Sequence, residues 1–281
     1  MPYLKKPEWI RSRFRSDLNF SQTKNIIENS DLTTICTSGR CPNKAECWSR
    51  GTATFMILGD ICTRSCKFCN TLTGKPLPPV ADEPQKIAAA VKAMNLRHVV
   101  VTSVDRDDLS DKGAAHWAAT INAIKNENPQ ITLEVLIPDF DGETALLQQI
   151  IDQKPDVISH NLETVCRLTP LVRSRAKYEI SMNVLRYIAE NKVIAKTGIM
   201  LGLGEMPNEI LQLMDDIIIA GVQILTIGQY LQPTRKNLPV AEYILPATFA
   251  QYRQIGLQKG LKIVESAPFI RSSYHAENHI L

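Results

Sequence analysis

Three cysteines fall within eight residues at Cys62, Cys66 and Cys69, spaced C-x3-C-x2-C, directly after the apolar run Ala53–Leu58. Thiolates are soft ligands that suit zinc and iron–sulfur clusters. Three of them are one short of the four that close a structural zinc site or fully ligate a cubane. A cubane held by three thiolates leaves one iron free to hold a substrate. A second triplet, Cys36, Cys41 and Cys47, spaced C-x4-C-x5-C, precedes the first and is again one short. A zinc site pooling four of the six would leave two cysteines unused and explain neither spacing. Cys166 stands alone and reads as a small buried apolar residue. Six cysteines within 34 residues and one far away do not resemble a disulfide framework.

The elements that must position these residues alternate. A helix over Asn19–Asn29 lies in a mildly basic N-terminal arm (Lys5, Lys6, Arg11, Arg13, Arg15), a solvated segment or a contact for an acidic protein partner. From Thr52 onward, strands are predicted at Thr52–Leu58, His98–Ser103, Ile131–Ile137, Asp156–His160, Val193–Leu201 and Val222–Gly228. Helices are predicted between and after them at Glu83–Asn95, Lys112–Lys125, Glu143–Asp152, Tyr178–Asn191, Glu209–Ala220 and Thr248–Lys259. Asp82 can cap the first of these, Ser110 or Asp111 the second, and a last short strand covers Lys262–Glu265. Such alternation implies parallel strands and outer helices, either doubly wound or closed as a full or partial barrel. No G-x-G-x-x-G follows the first strand, which weighs against a dinucleotide fold. The polar and glycine residues gather in loops after the strands, where a barrel keeps its chemistry. Gly202 and Gly204 read as sites of close backbone approach rather than a phosphate loop.

Composition narrows the class. The net charge is +3, with 32 Lys and Arg against 29 Asp and Glu and no basic stripe interleaved with aromatics, so nucleic acid is not an expected partner. No apolar run approaches a membrane span, and the N-terminus has no apolar signal region. A cytoplasmic protein with reduced, metal-binding cysteines is expected.

C-x3-C-x2-C after the first strand of a βα-repeat chain, with Phe68 before the last cysteine, resembles the radical S-adenosylmethionine (SAM) enzymes. The second triplet, with Cys-Pro-Asn and Glu-Cys-Trp inside it, and Arg271-Ser-Ser-Tyr274 near the C-terminus narrow the resemblance to the lipoyl synthase family. Val101–Leu109, His160–Val165, Lys196–Glu205 and Thr226–Thr234 agree, and the likeness runs from about Pro7 to Ala276.

The resemblance implies an α/β fold: a partial (β/α)6 TIM-like barrel over 52–260. An N-terminal cluster-binding extension would occupy 1–51 and a closing C-terminal segment 261–281. It implies two [4Fe–4S] clusters. Cys62, Cys66 and Cys69 would hold the one that cleaves the cosubstrate SAM. Cys36, Cys41, Cys47 and Ser273, with Ser272 the alternative, would hold an auxiliary cluster that donates sulfur. Thr102, Ser103, Asp105, Asn161 and Glu163 are the expected SAM contacts, although the loop after the second strand lacks the superfamily's common Gly-Gly-Glu.

The implied reaction places two sulfurs at C6 and C8 of an octanoyl group. That group is carried on a lysine of a lipoyl carrier, such as a 2-oxoacid dehydrogenase lipoyl domain or the glycine cleavage H protein. An electron donor such as ferredoxin or flavodoxin and a cluster-repair protein are the further implied partners. A biotin synthase-like radical enzyme and a non-catalytic zinc-binding protein are the alternatives. His98, His116 and His279 are expected to be structural or exposed.

Overall fold

The computed structural model describes residues 4–11 and 17–279. The expected arm residues Arg13 and Arg15 lie outside the described residues, as does the side chain of His279.

Seven parallel strands form one sheet: β1 (Thr54–Ile57), β4 (His98–Ser103), β5 (Thr132–Leu136), β6 (Val157–Ser159), β7 (Ile194–Leu201), β8 (Ile224–Gln229) and β9 (Ile263–Ser266), in that spatial order. Two dipeptide strands, β2 (Ile61–Cys62) and β3 (Leu72–Thr73), pair with each other inside the cysteine loop. β1 and β9 end the order and do not pair with one another, so the barrel is partial. The run Val99–Val101 is buried on both faces, as a parallel strand covered by helices must be.

Among the described residues, three α-helices precede the barrel: α1 (Leu18–Asn29), α2 (Ile35–Ser38) and α3 (Lys44–Ser49). The Asp17 carboxylate caps α1 by accepting from the Phe20 N–H at 2.9 Å. α1 packs on α3 through Phe20 and Trp48, whose ring centroids lie 5.4 Å apart. The crossovers are α4 (Glu83–Ala93), α5 (Ala114–Glu127), α6 (Thr144–Ile151), α7 (Thr169–Val172) with α8 (Tyr178–Glu190), α9 (Pro207–Ile219) and α10 (Pro246–Lys259). Six strand–helix repeats are thus closed by β9 from the C-terminal segment.

Two capping expectations separate. Asp111 serves α5, accepting from the N–H groups of Gly113 and Ala115 at 3.0 Å each. Asp82 stands at the N-cap of α4 but makes no capping bond; its carboxylate lies 3.2 Å from Lys86 instead. Among the described residues no helix is long and apolar enough to cross a membrane.

Candidate functional site

The cysteine loop leaves the C-terminal end of β1 and is held there by a buried arginine within its own motif. Arg64 grips Asp107 with two bonds, Nε to Oδ2 at 2.9 Å and Nη2 to Oδ1 at 2.8 Å. It grips Asp139 with two more at 2.9 Å each, and approaches Asp105 and Asp141 at 3.4 and 3.3 Å. Asp105 and Asp107 follow β4, whereas Asp139 and Asp141 follow β5. One fork therefore fixes the loop to two neighbouring strand ends, in the planar bidentate geometry that lysine cannot reproduce. Burial alone would raise the Asp139 carboxyl, yet the hydrogen bonds and charge of Arg64 hold it down to about 2. Burial wins at Asp105, which shares Arg64 with other carboxylates and is pushed up. Sequence reading passed over Arg64; its place between Cys62 and Cys66, with Asp residues after the next two strands, was the available signal.

A cavity of about 570 Å³ runs inside the barrel and is lined by Cys62, Cys66 and Cys69 together with Cys36, Cys41, Ser272 and Ser273. All five residues expected to contact SAM line the same cavity: Thr102, Ser103, Asp105, Asn161 and Glu163. The Thr102 hydroxyl is spent on the Leu136 carbonyl at 3.0 Å, but the Ser103 hydroxyl is buried without a partner. Glu163 adopts φ +67°, an unusual strain for a non-glycine residue, and burial raises its carboxyl. The volume lies within the range of small-molecule sites.

A second, smaller cavity lies at the N-terminal ends of β1 and β4, lined by Cys36, Cys41, Cys47 and Ser273 with His98. The two serines face different ways. Ser273 Oγ accepts from Thr54 Oγ1 at 2.8 Å beside the second cysteine triplet, whereas Ser272 Oγ donates to Asn161 Oδ1 at 2.9 Å. His98 is partly buried, and among the described residues neither ring nitrogen has a partner; burial holds the ring down to about 4. The sequence offered no signal for its place at this cavity.

The C-terminal turn reaches the barrel interior because two strands carry glycine where it enters. A Cβ on Gly228 would lie 2.1 Å from the Ile270 carbonyl oxygen, and one on Gly198 would lie 3.0 Å from Ser272 Oγ. Lys196, fully buried, then ties the turn down. Its Nζ donates to both Glu134 oxygens at 2.8 Å and to the Ser272 carbonyl at 2.7 Å. Outside the barrel, Tyr274 donates to Glu46 at 2.8 Å, and Arg50 bonds His275 and Glu277, clasping the turn to the region of α3.

Gly202 behaves as expected: at φ +103°, its missing Cβ would meet Gln229 Nε2 at 2.2 Å and the Glu242 carbonyl at 2.5 Å. Gly204 has open space around it, so only its φ of +109° calls for glycine. His116 is structural, bonded to Glu83 at 2.6 Å. Cys166 is a correction. It is exposed rather than buried, because it opens a short 3-10 turn on the surface before α7.

Residues 56–217 match the sequence model of the radical SAM superfamily. Lipoyl synthase of Parabacteroides distasonis is 62% identical over 278 residues, spanning 99% of each chain. That of Porphyromonas gingivalis is 61% identical over 279 residues, again 99% of each. The chain belongs to the lipoyl synthase family. The lipoyl synthase of Treponema denticola is 55% identical, spanning 99% of this chain and 96% of its own. Among solved structures, methylornithine synthase aligns over 92% of this chain and 85% of its own, with a TM-score of 0.57 and 12% identity. Streptococcus suis SuiB bound to S-adenosylmethionine gives 0.60 over 80% of this chain and 54% of its own, at 10% identity. These two share the fold alone.

Lipoyl synthases are radical SAM enzymes, and that superfamily implies a [4Fe–4S] cluster and SAM. The residues present fit such groups. All seven cysteines are free thiols, and burial raises those of Cys36, Cys41 and Cys66, with Cys47 and Cys62 pushed up to about 12. Buried thiols of this kind become thiolates when a cation arrives to share the charge. Among the described residues, no three Cys, His, Asp or Glu side chains converge as ligands of a single metal ion would.

Proposed function

We propose that this chain inserts two sulfur atoms at C6 and C8 of an octanoyl group carried on a lysine of a lipoyl carrier protein. The observation that carries this reading is that the barrel cavity lined by Cys62, Cys66 and Cys69 is also lined by Cys36, Cys41 and Ser273, which with Cys47 line the adjoining second cavity.

Cys62, Cys66 and Cys69 are the ligands of the cluster that binds SAM, and Cys36, Cys41, Cys47 and Ser273 those of an auxiliary cluster. When bound, the first cluster with SAM supplies hydrogen-abstracting radical chemistry, and the second supplies sulfide. Everything else is positioning by the chain. Arg64 fixes the first cysteine loop against the ends of β4 and β5. Glu163, Asn161 and the unpartnered Ser103 hydroxyl offer polar contacts for the amino-acid end of SAM. Met56, Val104, Ile137 and Ile199 give the cavity apolar wall for an acyl chain and keep water from it. Lys196 and the two glycines hold Ser273 in the second cavity. An alkoxide suits iron less well than a thiolate and is released more readily, as a ligand to a sacrificed cluster must be. The serine facing that cavity is Ser273, not Ser272, which is occupied with Asn161.

Three units follow: 1–51 with the second cysteine triplet, 52–260 as the barrel core with the first, and 261–281 with the Arg-Ser-Ser-Tyr motif. An electron donor such as ferredoxin or flavodoxin and a cluster-repair protein complete the cycle. The reduced thiols suit the cytoplasm. Iron and sulfide analysis after anaerobic reconstitution tests the ligand assignment: about eight of each per chain are expected. A colourless protein holding only zinc would contradict it.

A further inference from the structure

Beside the cavity and the first cysteine triplet lie exposed cations that meet no carboxylate among the described residues. After β8 the chain forms a tight turn over Thr234–Asn237. The Thr234 N–H and hydroxyl donate to Asn237 Oδ1 at 3.2 and 2.7 Å, and the Lys236 N–H donates to Thr234 Oγ1 at 3.2 Å. The turn is fastened to the cysteine loop. Asn237 Nδ2 donates to the Cys69 carbonyl at 2.8 Å, and the Leu238 N–H to that of Lys67 at 3.0 Å. Its tip therefore presents Arg235 and Lys236 outward from a rigid frame beside the first cysteine triplet, both exposed. Arg64, Arg106 and Arg167, by contrast, each meet carboxylates. Arg235 and Lys236 take no carboxylate among the described residues.

Further cations lie beside the cavity. Arg40 is exposed, lines the cavity and donates to the Pro233 carbonyl at 3.3 Å, next to the turn. Lys6, from the N-terminal arm, also lines the cavity, and Lys67 is exposed at the cysteine loop itself. The two carboxylates of the cavity lining, Asp105 and Glu163, are partly buried within it. A net charge of only +3 over the whole chain means that this is a local concentration, not a general excess.

We propose that this rim is a docking surface for an acidic face of the folded protein that carries the acyl-lysine arm, with the Arg235–Lys236 turn as its central contact. The inference rests on the reading that the cavity takes an acylated lysine. A lysine side chain reaches only a few ångströms beyond its own backbone. To deliver the acyl chain between the two triplets, the carrier must bring its surface against the rim. Unpaired cations on a rigid frame favour a partner of opposite charge, speed its approach and fix its orientation. A basic carrier face would be repelled by the same groups.

The test uses the anaerobically reconstituted full chain with dithionite as reductant, so that no electron-transfer protein is present. Turnover is compared on an intact octanoylated carrier domain and on a short octanoyl-lysine peptide, at rising salt. Arg235→Glu/Lys236→Glu should raise KM for the carrier by roughly tenfold or more with kcat preserved, and abolish the salt dependence of that KM. KM for the peptide should not move. Arg235→Ala/Lys236→Ala, which leaves the Thr234–Asn237 frame intact, should give a smaller shift in the same direction. Iron and sulfide content establishes that each variant is folded. Equal carrier KM in wild type and charge-reversed variant, or an equal loss on carrier and peptide, would overturn the proposal. If the wild type sulfurates neither substrate, it is the functional reading that fails instead.

Discussion

At the scale of single residues, the most informative side chains are charged groups buried inside a barrel. Lys196 and Glu134 are both fully buried and 2.8 Å apart. A buried ion pair is poor value as a stabiliser, but removing one member strands the other. Lys196→Met should cost about 3–5 kcal/mol in denaturant unfolding, and Lys196→Met/Glu134→Gln should recover most of it. An equal loss in both variants would show that the pair itself is not the cause. His160 makes a second prediction. Burial and the nearby Arg173 cation hold its imidazole down to about 4 from an ordinary 6.5. The unfolded chain then binds a proton that the folded chain refuses. Stability is fully present above about 6.5 and falls as pH drops through the window to 4, by on the order of 3 kcal/mol. His160→Asn should flatten the dependence of Tm on pH there; an unchanged slope would sink this assignment. The sequence announced the cysteines because spacing is local. It could not announce Lys196, whose partner Glu134 lies 62 positions away and whose second partner, the Ser272 carbonyl, lies 76 away.

At the scale of elements, the strands and crossover helices were legible, since hydrophobic periodicity and parallel packing are set by near neighbours. The boundaries moved by a residue or two, as at α9, which starts at Pro207 rather than Glu209. What was not legible is how the C-terminal turn enters the barrel. Gly198 and Gly228 read as ordinary strand residues until the turn is laid over them. The Cβ of Gly228→Ala would meet backbone, which cannot rotate aside: the Ile270 carbonyl oxygen at 2.1 Å. That variant should displace Ser273 while leaving the first cysteine loop in place. Iron per chain should fall toward about four, with the spectrum of the SAM-binding cluster retained. Retention of the full iron content would mean that the turn does not depend on this close approach. Cys166 failed for the converse reason: an isolated cysteine carries no periodicity, and its exposure follows from a short surface turn.

At the scale of the whole molecule, segments from near both ends of the chain meet at the second cavity, against the N-terminal ends of β1 and β4. Arg50 and Glu46 near the N-terminal triplet hold Tyr274, His275 and Glu277 near the C-terminus. The cavity runs from the first triplet to Cys36 and Cys41 of the second, with a volume suited to a small ligand and an acyl chain. The central claim is that sulfur built into the chain's own second site ends on the substrate. It is tested by reconstituting the protein with isotopically heavy sulfide and weighing an octanoylated carrier by mass spectrometry after turnover with SAM and reductant. The carrier should gain two sulfur atoms, both heavy. Formation of 5′-deoxyadenosine with no sulfur gained, or with only light sulfur gained, would contradict it.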